Sequence, residues 1–157
     1  MAYYRSLLSL ILVIVATFLV SCGSPTVATA PQTYTSAQIE QIQQYVPEIV
    51  ALRDRMKEIP VSIQKSDWIG VNSFIHGPLG ELRMKMIYVT RNLFPKDREA
   101  TSQTTKDLFS HLVKIEQAAQ ESNSQAAKLN YQAALADINK FLQLVPQATT
   151  EPSGSET

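Results

Sequence analysis

Apolar residues recur at every third or fourth position through the middle of the chain, which is the repeat of an amphipathic α-helix. The first such stretch opens at a capping box, Thr35-Ser36-Ala37-Gln38. Pro47 is predicted to bend this helix because proline lacks an N–H and crowds a carbonyl in the preceding turn, and Pro60 is predicted to end it. Its apolar face consists of Ile39, Ile42, Val46, Ile49, Leu52, Met56 and Ile59.

The second stretch keeps the same rhythm from Trp68 to Leu93 and passes through Gly77-Pro78 without a change of phase. Two separate helices have no reason to share a phase, so the pattern favours one long helix kinked near residues 74–78. The alternative is a break, with Pro78 in the first turn of a new helix. Phe94-Pro95 is predicted to close the segment.

Two further helices are predicted from about Asp97 to Ser122 and from the short Ser-Asn-Ser connection to Pro146. No segment alternates strongly enough to predict a strand. Helices joined by short loops pack antiparallel, so residues 35–146 are predicted to form an all-α, four-helix up-down-up-down bundle. The apolar positions of the last two helices are Leu108, Leu112, Ile115, Ala119, Ala127, Tyr131, Ala134, Ile138, Phe141 and Val145.

The N-terminus has the pattern of an export signal. Arg5 precedes an apolar run that is shorter than the roughly 20 residues a membrane-spanning helix needs. The run ends in Leu19-Val20-Ser21-Cys22, the order of a bacterial lipobox, in which the cysteine thiol is alkylated with diacylglycerol and the chain is cut before it. We therefore predict a lipoprotein signal peptide over residues 1–21 and lipidation, with palmitate among the acyl groups, at Cys22.

Composition limits what the remaining chain can be. The 157 residues carry 14 basic and 14 acidic side chains, so no overall field attracts nucleic acid. One cysteine permits no intramolecular disulfide. Residues 22–34 are small, polar and proline-containing, which predicts a flexible tether. Residues 147–157 are predicted to be a disordered tail.

The sequence contains no catalytic motif that a helical bundle would use. The Glu-x-x-His pairs of a di-iron site are absent, as are a Walker loop, H-E-x-x-H and G-x-S-x-G. The candidate metal ligands are His76, Asp107 and His111. Asp107 and His111 are four residues apart on one helix, and pairs at this spacing are more often surface ion pairs. The prediction is that the protein is not an enzyme and requires no cofactor, with zinc binding at most adventitious.

Three segments resemble the cyanobacterial branch of the PsbQ family. They are "DWIGVNSFIHGPLGELRMKM", "NLFPKD" and "LNYQAALADINKFLQLVPQA", and the resemblance covers nearly all of residues 35–147. It implies a four-helix bundle and a non-catalytic extrinsic subunit of photosystem II, lipid-anchored on the lumenal side of the thylakoid membrane. There it would support the oxygen-evolving complex and its assembly. Because some members bind zinc, the resemblance also keeps His76 and His111 as candidate metal ligands.

The resemblance implies partners in the photosystem II core and among the other extrinsic lumenal subunits. The exposed side of the second helix is our predicted contact surface, with Glu81, Arg83 and Lys85 pointing outward. Its candidate residues are His76, Glu81, Arg83, Lys85 and Arg91. The alternative function is a lipid-anchored metal- or ligand-binding bundle of the lumen or periplasm.

Overall fold

Helices account for the regular structure of residues 33–147, which are the residues that the computed structural model describes. This part of the chain contains no strand, so the predicted all-α class is confirmed. The helices are α1 (Ser36–Gln43), α2 (Val46–Arg55), α3 (Glu58–Gln64), α4 (Trp68–His76), α5 (Leu82–Arg91), α6 (Pro95–Gln120) and α7 (Ser124–Leu144). The predicted signal peptide, Cys22, most of the predicted tether and nearly all of the predicted tail lie outside the described residues.

The predicted capping box starts α1. The Thr35 side-chain oxygen accepts a hydrogen bond from the backbone N–H of Gln38 at 3.3 Å. The Gln38 side chain accepts one in return from the backbone N–H of Thr35 at 2.9 Å. Two N–H groups that the helix cannot satisfy internally are thereby paired, which fixes where the helix begins.

The first predicted helix is three helices, and the prediction that Pro60 ends it is wrong. Pro47 lies in the first turn of α2 and Pro60 in the first turn of α3. A proline ring clashes with the carbonyl four residues before it, so each proline interrupts the helix upstream and then suits a first turn. Helix α3 continues past Pro60 to Gln64, and Ser66 follows in the left-handed region with φ of 56°.

The second predicted helix is interrupted, so one continuous kinked helix is wrong. The break lies at residues 77–81, and Pro78 precedes the first turn of α5 rather than occupying it. Gly77 leaves the helical region with ψ of −93°. The N–H of Leu79 bonds to the carbonyl of Phe74 at 3.2 Å, one residue farther back than in a regular helix. These turns still bring Leu79 and Leu82 into the core, which is why the apolar phase survives the break.

Gly80 allows the chain to fold tightly within this break. A Cβ atom at that position would lie 2.5 Å from the backbone carbonyl oxygen of His76. Since a backbone oxygen cannot move aside as a side chain can, only glycine fits without a shift of the chain.

The last two predicted helices are confirmed within about two residues of their expected ends. The buried face of α6 also extends further toward its N-terminus than the apolar pattern predicted. Thr101, Thr104 and Thr105 are buried there, and their hydroxyls donate to carbonyls four residues back at 2.8–2.9 Å. Bonded in this way, a buried hydroxyl behaves as a small, satisfied core group.

The core is shared by all seven described helices. Helices α6 and α7 pack against each other along their length. Helix α5 contacts α1, α2 and α6, while α3 contacts α4 and α7. None of the helices between residues 33 and 147 is long and apolar enough to cross a membrane.

Candidate docking surface

Helix α5 carries most of the predicted contact residues, and its buried side determines where each of them points. Leu82, Met86 and Val89 face the core. Arg83 then lies on the flank next to α6, and Lys85 lies on the flank next to α2. Met84 and Tyr88 lie between the flanks and are exposed. The helix therefore presents two different charged flanks to its neighbours.

The Lys85 flank is internally neutralised, and the prediction that Lys85 points outward is wrong. Its side chain is only 17% exposed. Its Nζ donates to Glu48 of α2 and lies 3.4 Å from the Glu81 carboxylate. The hydrogen bond to Glu48 raises the pKa of Lys85 although burial opposes the charge. Lys85 is thus part of the packing between α2 and α5, whereas Glu81 points outward as predicted.

The Arg83 flank has no such partner. The guanidinium carbon of Arg83 lies 4.0 Å from the centroid of the Phe109 ring on α6, a cation–π contact. Neither Arg83 nor Arg91 forms an ion pair with a carboxylate of residues 33–147. The stacking holds the Arg83 head group in place while its charge stays unpaired.

Arg83 and Arg91 border a groove of about 350 Å³ between α5 and α6. Lys106 of α6 supplies a third cation, and no carboxylate lines the groove. The Oγ1 atom of Thr90 is buried there without a hydrogen-bond partner in the described structure. We call this feature the α5–α6 groove; it is lined by Arg83, Ile87, Thr90, Arg91, Ser102, Thr105 and Lys106. The two arginines were predicted from the sequence as contact residues, whereas Lys106 was not.

His76 lies at the end of α4, away from this groove, beside a smaller cavity of about 210 Å³. Its ring is exposed, and its Nε2 lies 2.8 Å from Glu116 Oε1 of α6. The His76 ring and the Glu116 carboxylate are thus within ion-pair distance, but their geometry does not make a hydrogen bond, and Glu116 Oε1 is buried without one. Arg83 borders this cavity as well, so it stands between His76 and the groove.

The other two metal candidates, Asp107 and His111, contact different partners. His111 Nδ1 lies 2.7 Å from Asp137 Oδ2 of α7, and Asp107 instead accepts a hydrogen bond from Gln103 at 2.8 Å. His111 thus contacts a carboxylate of the facing helix, and no ion pair joins it to Asp107. Within residues 33–147, no three His, Cys, Asp or Glu side chains are grouped so that they could hold a metal ion.

Comparison with known proteins shows which family this chain belongs to. The sequence profile of the PsbQ family, described as Oxygen evolving enhancer protein 3, matches residues 4–146. The chain belongs to the PsbQ family. A relative named CyanoQ, from Synechocystis sp., is 45% identical over 150 residues, which are 95% of this chain and 100% of the relative. The resemblance predicted from the sequence is thus confirmed, and the whole α5–α6 groove lies inside the PsbQ match.

Proposed function

We propose that this protein is a non-catalytic extrinsic subunit of photosystem II that stabilises the oxygen-evolving complex and its assembly. The observation that carries the proposal is the match of residues 4–146 to a family described as Oxygen evolving enhancer protein 3. The 45% identity to CyanoQ over 95% of the chain supports it. Its partners are the photosystem II core and the other extrinsic lumenal subunits, and it has no role with nucleic acid.

The proposed architecture is a four-helix up-down-up-down bundle whose first two arms are segmented. Helices α1, α2 and α3 form the first arm, α4 and α5 the second, α6 the third and α7 the fourth. The contacts support this arrangement, because each arm packs against the next and α2 and α3 also contact α7. A bundle of this kind offers rigid outer faces for docking.

The protein acts by binding and requires no cofactor. Its described residues offer paired charges at Lys85 and unpaired charges at Arg83 and Arg91, which are means of recognition rather than of bond making. An effect on oxygen evolution then arises from holding or shielding neighbouring subunits.

The proposed location is the lumenal side of the thylakoid membrane, with a lipid on Cys22 as the anchor. A lipid tether raises the local concentration of the protein near membrane complexes, so a modest intrinsic affinity keeps a docking site occupied. Cys22→Ser should abolish labelling with fatty acid, and equal labelling of the variant and the wild type would contradict the anchor.

The function is tested by purifying tagged photosystem II from cells that express this chain. The protein should co-purify, and its deletion should weaken oxygen evolution most when calcium or chloride is scarce. Light-driven charge separation serves as the control and should persist in the deletion strain. Complexes that never contain the protein, in cells that express it, would contradict the proposal.

A further inference from the structure

We propose that the α5–α6 groove binds an extended, acidic segment of a partner protein, with its carboxylates paired to Arg83, Arg91 and Lys106. This inference rests on the proposed function for the identity of the partner's complex. Beyond the proposed function, it specifies which surface of this chain docks and what kind of segment binds there.

The charges of the groove call for an anionic occupant. Three cations line it and no carboxylate does. No carboxylate of residues 33–147 pairs with any of the three. The opposite flank of α5 shows the contrast, because Glu48 and Glu81 already neutralise Lys85 there. Like charges left together without an internal partner are most favourable once an opposite charge arrives from outside.

The spacing of the cations favours a peptide over a single small anion. Arg83 and Arg91 are eight positions apart on α5, which places them about 12 Å apart along the helix axis. An extended peptide advances ~3.3 Å per residue, so acidic side chains four positions apart span about 13 Å. A free phosphate or one lipid headgroup reaches only one end of such a row. The matched occupant is therefore an extended segment with two acidic residues at that spacing.

The wall that α6 contributes can also bond the backbone of that segment. Ser102 lines the groove on this side. Its hydroxyl can donate to a carbonyl or accept from an N–H group that an extended peptide leaves unpaired. The stacking of Arg83 on Phe109 holds one cation in place before binding, which reduces the side-chain entropy lost on docking.

The experiment uses the full chain in cells, with photosystem II isolated in detergent. Arg91→Glu/Lys106→Glu removes two of the groove's cations but keeps Arg83 on Phe109. Lys128→Glu/Lys140→Glu on α7 is the matched control, because both lysines are exposed and lie outside the groove. We expect the groove variant to lower co-purification with photosystem II by roughly tenfold or more, and the control to leave it within about twofold.

A zero-length carbodiimide crosslinker, which joins amines to carboxylates, identifies the occupant. We expect Lys106 to be joined to an Asp or Glu of a photosystem II subunit, in a stretch with a second acidic residue near it. Arg83→Lys/Arg91→Lys should add crosslinks to two acidic residues about four positions apart in that stretch, because the spacing was derived for these two positions. Thermal unfolding of both charge variants checks that any loss of binding is not a loss of fold.

The outcomes separate this inference from the proposed function. If wild-type protein co-purifies and the groove variant does so equally well, the groove is not the docking site although the function stands. A loss confined to intact membranes, absent in detergent-isolated complexes, would assign the groove to anionic lipid and overturn the proposal. A crosslink from Lys106 to Glu151 or Glu156 of this chain would also overturn the proposal, because it would show that the chain's own C-terminal segment occupies the groove. If the wild type itself never co-purifies, the proposed function fails first.

Discussion

The two halves of the described chain use the same apolar repeat but build different helices from it. Between residues 36 and 91 the chain forms five helices, none longer than 10 residues. Between residues 95 and 144 it forms two helices of 26 and 21 residues. The first half contains Pro47, Pro60 and Pro78 within its apolar pattern, whereas Pro95 and Pro146 lie at the borders of the second. An apolar repeat therefore determines which face is buried, and prolines determine how far each helix runs.

The largest effect should come from moving a proline into the continuous half. Ser110→Pro, at an exposed position inside α6, should cost about 3 kcal/mol or more in the free energy of unfolding, because it removes a hydrogen bond and crowds the carbonyl of Lys106. Chemical denaturation measures the loss. Pro60→Ala, in the first turn of α3, is the paired control and should change stability by less than about 1 kcal/mol. Equal effects at the two sites would contradict the comparison.

The next effect tests the break between α4 and α5. Gly80→Ala should destabilise the protein by about 1–3 kcal/mol, because the new Cβ would meet the His76 carbonyl oxygen. In a plain helix the same change would stabilise by up to about 1 kcal/mol. The sign of the change in thermal unfolding thus decides between a tight turn and a continuous helix. Ser110→Ala, an exposed helical position, should stay within about 0.5 kcal/mol.

A third prediction concerns a link between the halves. The Tyr34 hydroxyl donates to Asp97 at 2.7 Å and accepts from the backbone N–H of Phe94 at 2.9 Å, and the Tyr34 ring stacks on Phe94. Tyr34→Phe keeps the stacking but loses both hydrogen bonds, so it should cost roughly 1 kcal/mol in denaturant unfolding. An unchanged midpoint would show that the hydroxyl does not join the halves.

The contribution of Tyr34 to the free energy of unfolding should depend on pH, and the direction follows from its pKa. Burial, and then the neighbouring Asp97, raise the pKa of Tyr34 above its ordinary 10.0. A group whose pKa is higher in the folded state stabilises the fold below its unfolded value, and that contribution is lost as the pH rises through the folded value. Wild type and Tyr34→Phe should therefore differ in stability at neutral pH and converge above pH 10.0. If the difference in the free energy of unfolding between the two proteins grows at high pH, the prediction is wrong.

The smallest effect should be the same in both halves. Ser66 and Ser122 follow α3 and α6 with φ of 56° and 51°, a region that glycine adopts with less strain. Ser66→Gly and Ser122→Gly should each raise the free energy of unfolding by about 0.5 kcal/mol in equilibrium denaturation. Ser110→Gly, with helical neighbours on both sides, should instead lower it by roughly 0.5 kcal/mol. Opposite signs at Ser66 and Ser122 would show that the halves end their helices differently.

The sequence predicted the apolar part of the buried faces well because that part follows local spacing, but it did not predict the buried threonines of α6. Ile42, Ile49, Met86, Leu112 and Phe141 are all buried as their positions in the repeat required. The points at which the helices are interrupted were predicted poorly. A proline disrupts the helical turn before it but fits the first turn of the next helix. The sequence alone did not say that Pro60 would open α3.

The candidate surface was predicted correctly only where it depends on positions within one helix, and not where it depends on contacts between residues distant in sequence. Arg83 and Arg91 share one helix, and their place on its outer side follows from the repeat. Lys85 was placed wrongly because its partner Glu48 is 37 positions away, and the contact of His111 with Asp137 spans 26 positions. Lys106 joins the groove through packing between two helices, which no spacing within either helix predicts.

The Tyr34 link also determines how the folded part would bear a mechanical load. A pull on the chain before Tyr34 would load its two hydrogen bonds to residues at the start of α6, together with the backbone that leads into α1. Part of the force would therefore reach the longest described helix directly. Pulling on the wild type and on Tyr34→Phe from the N-terminal side should show a lower first rupture force for the variant.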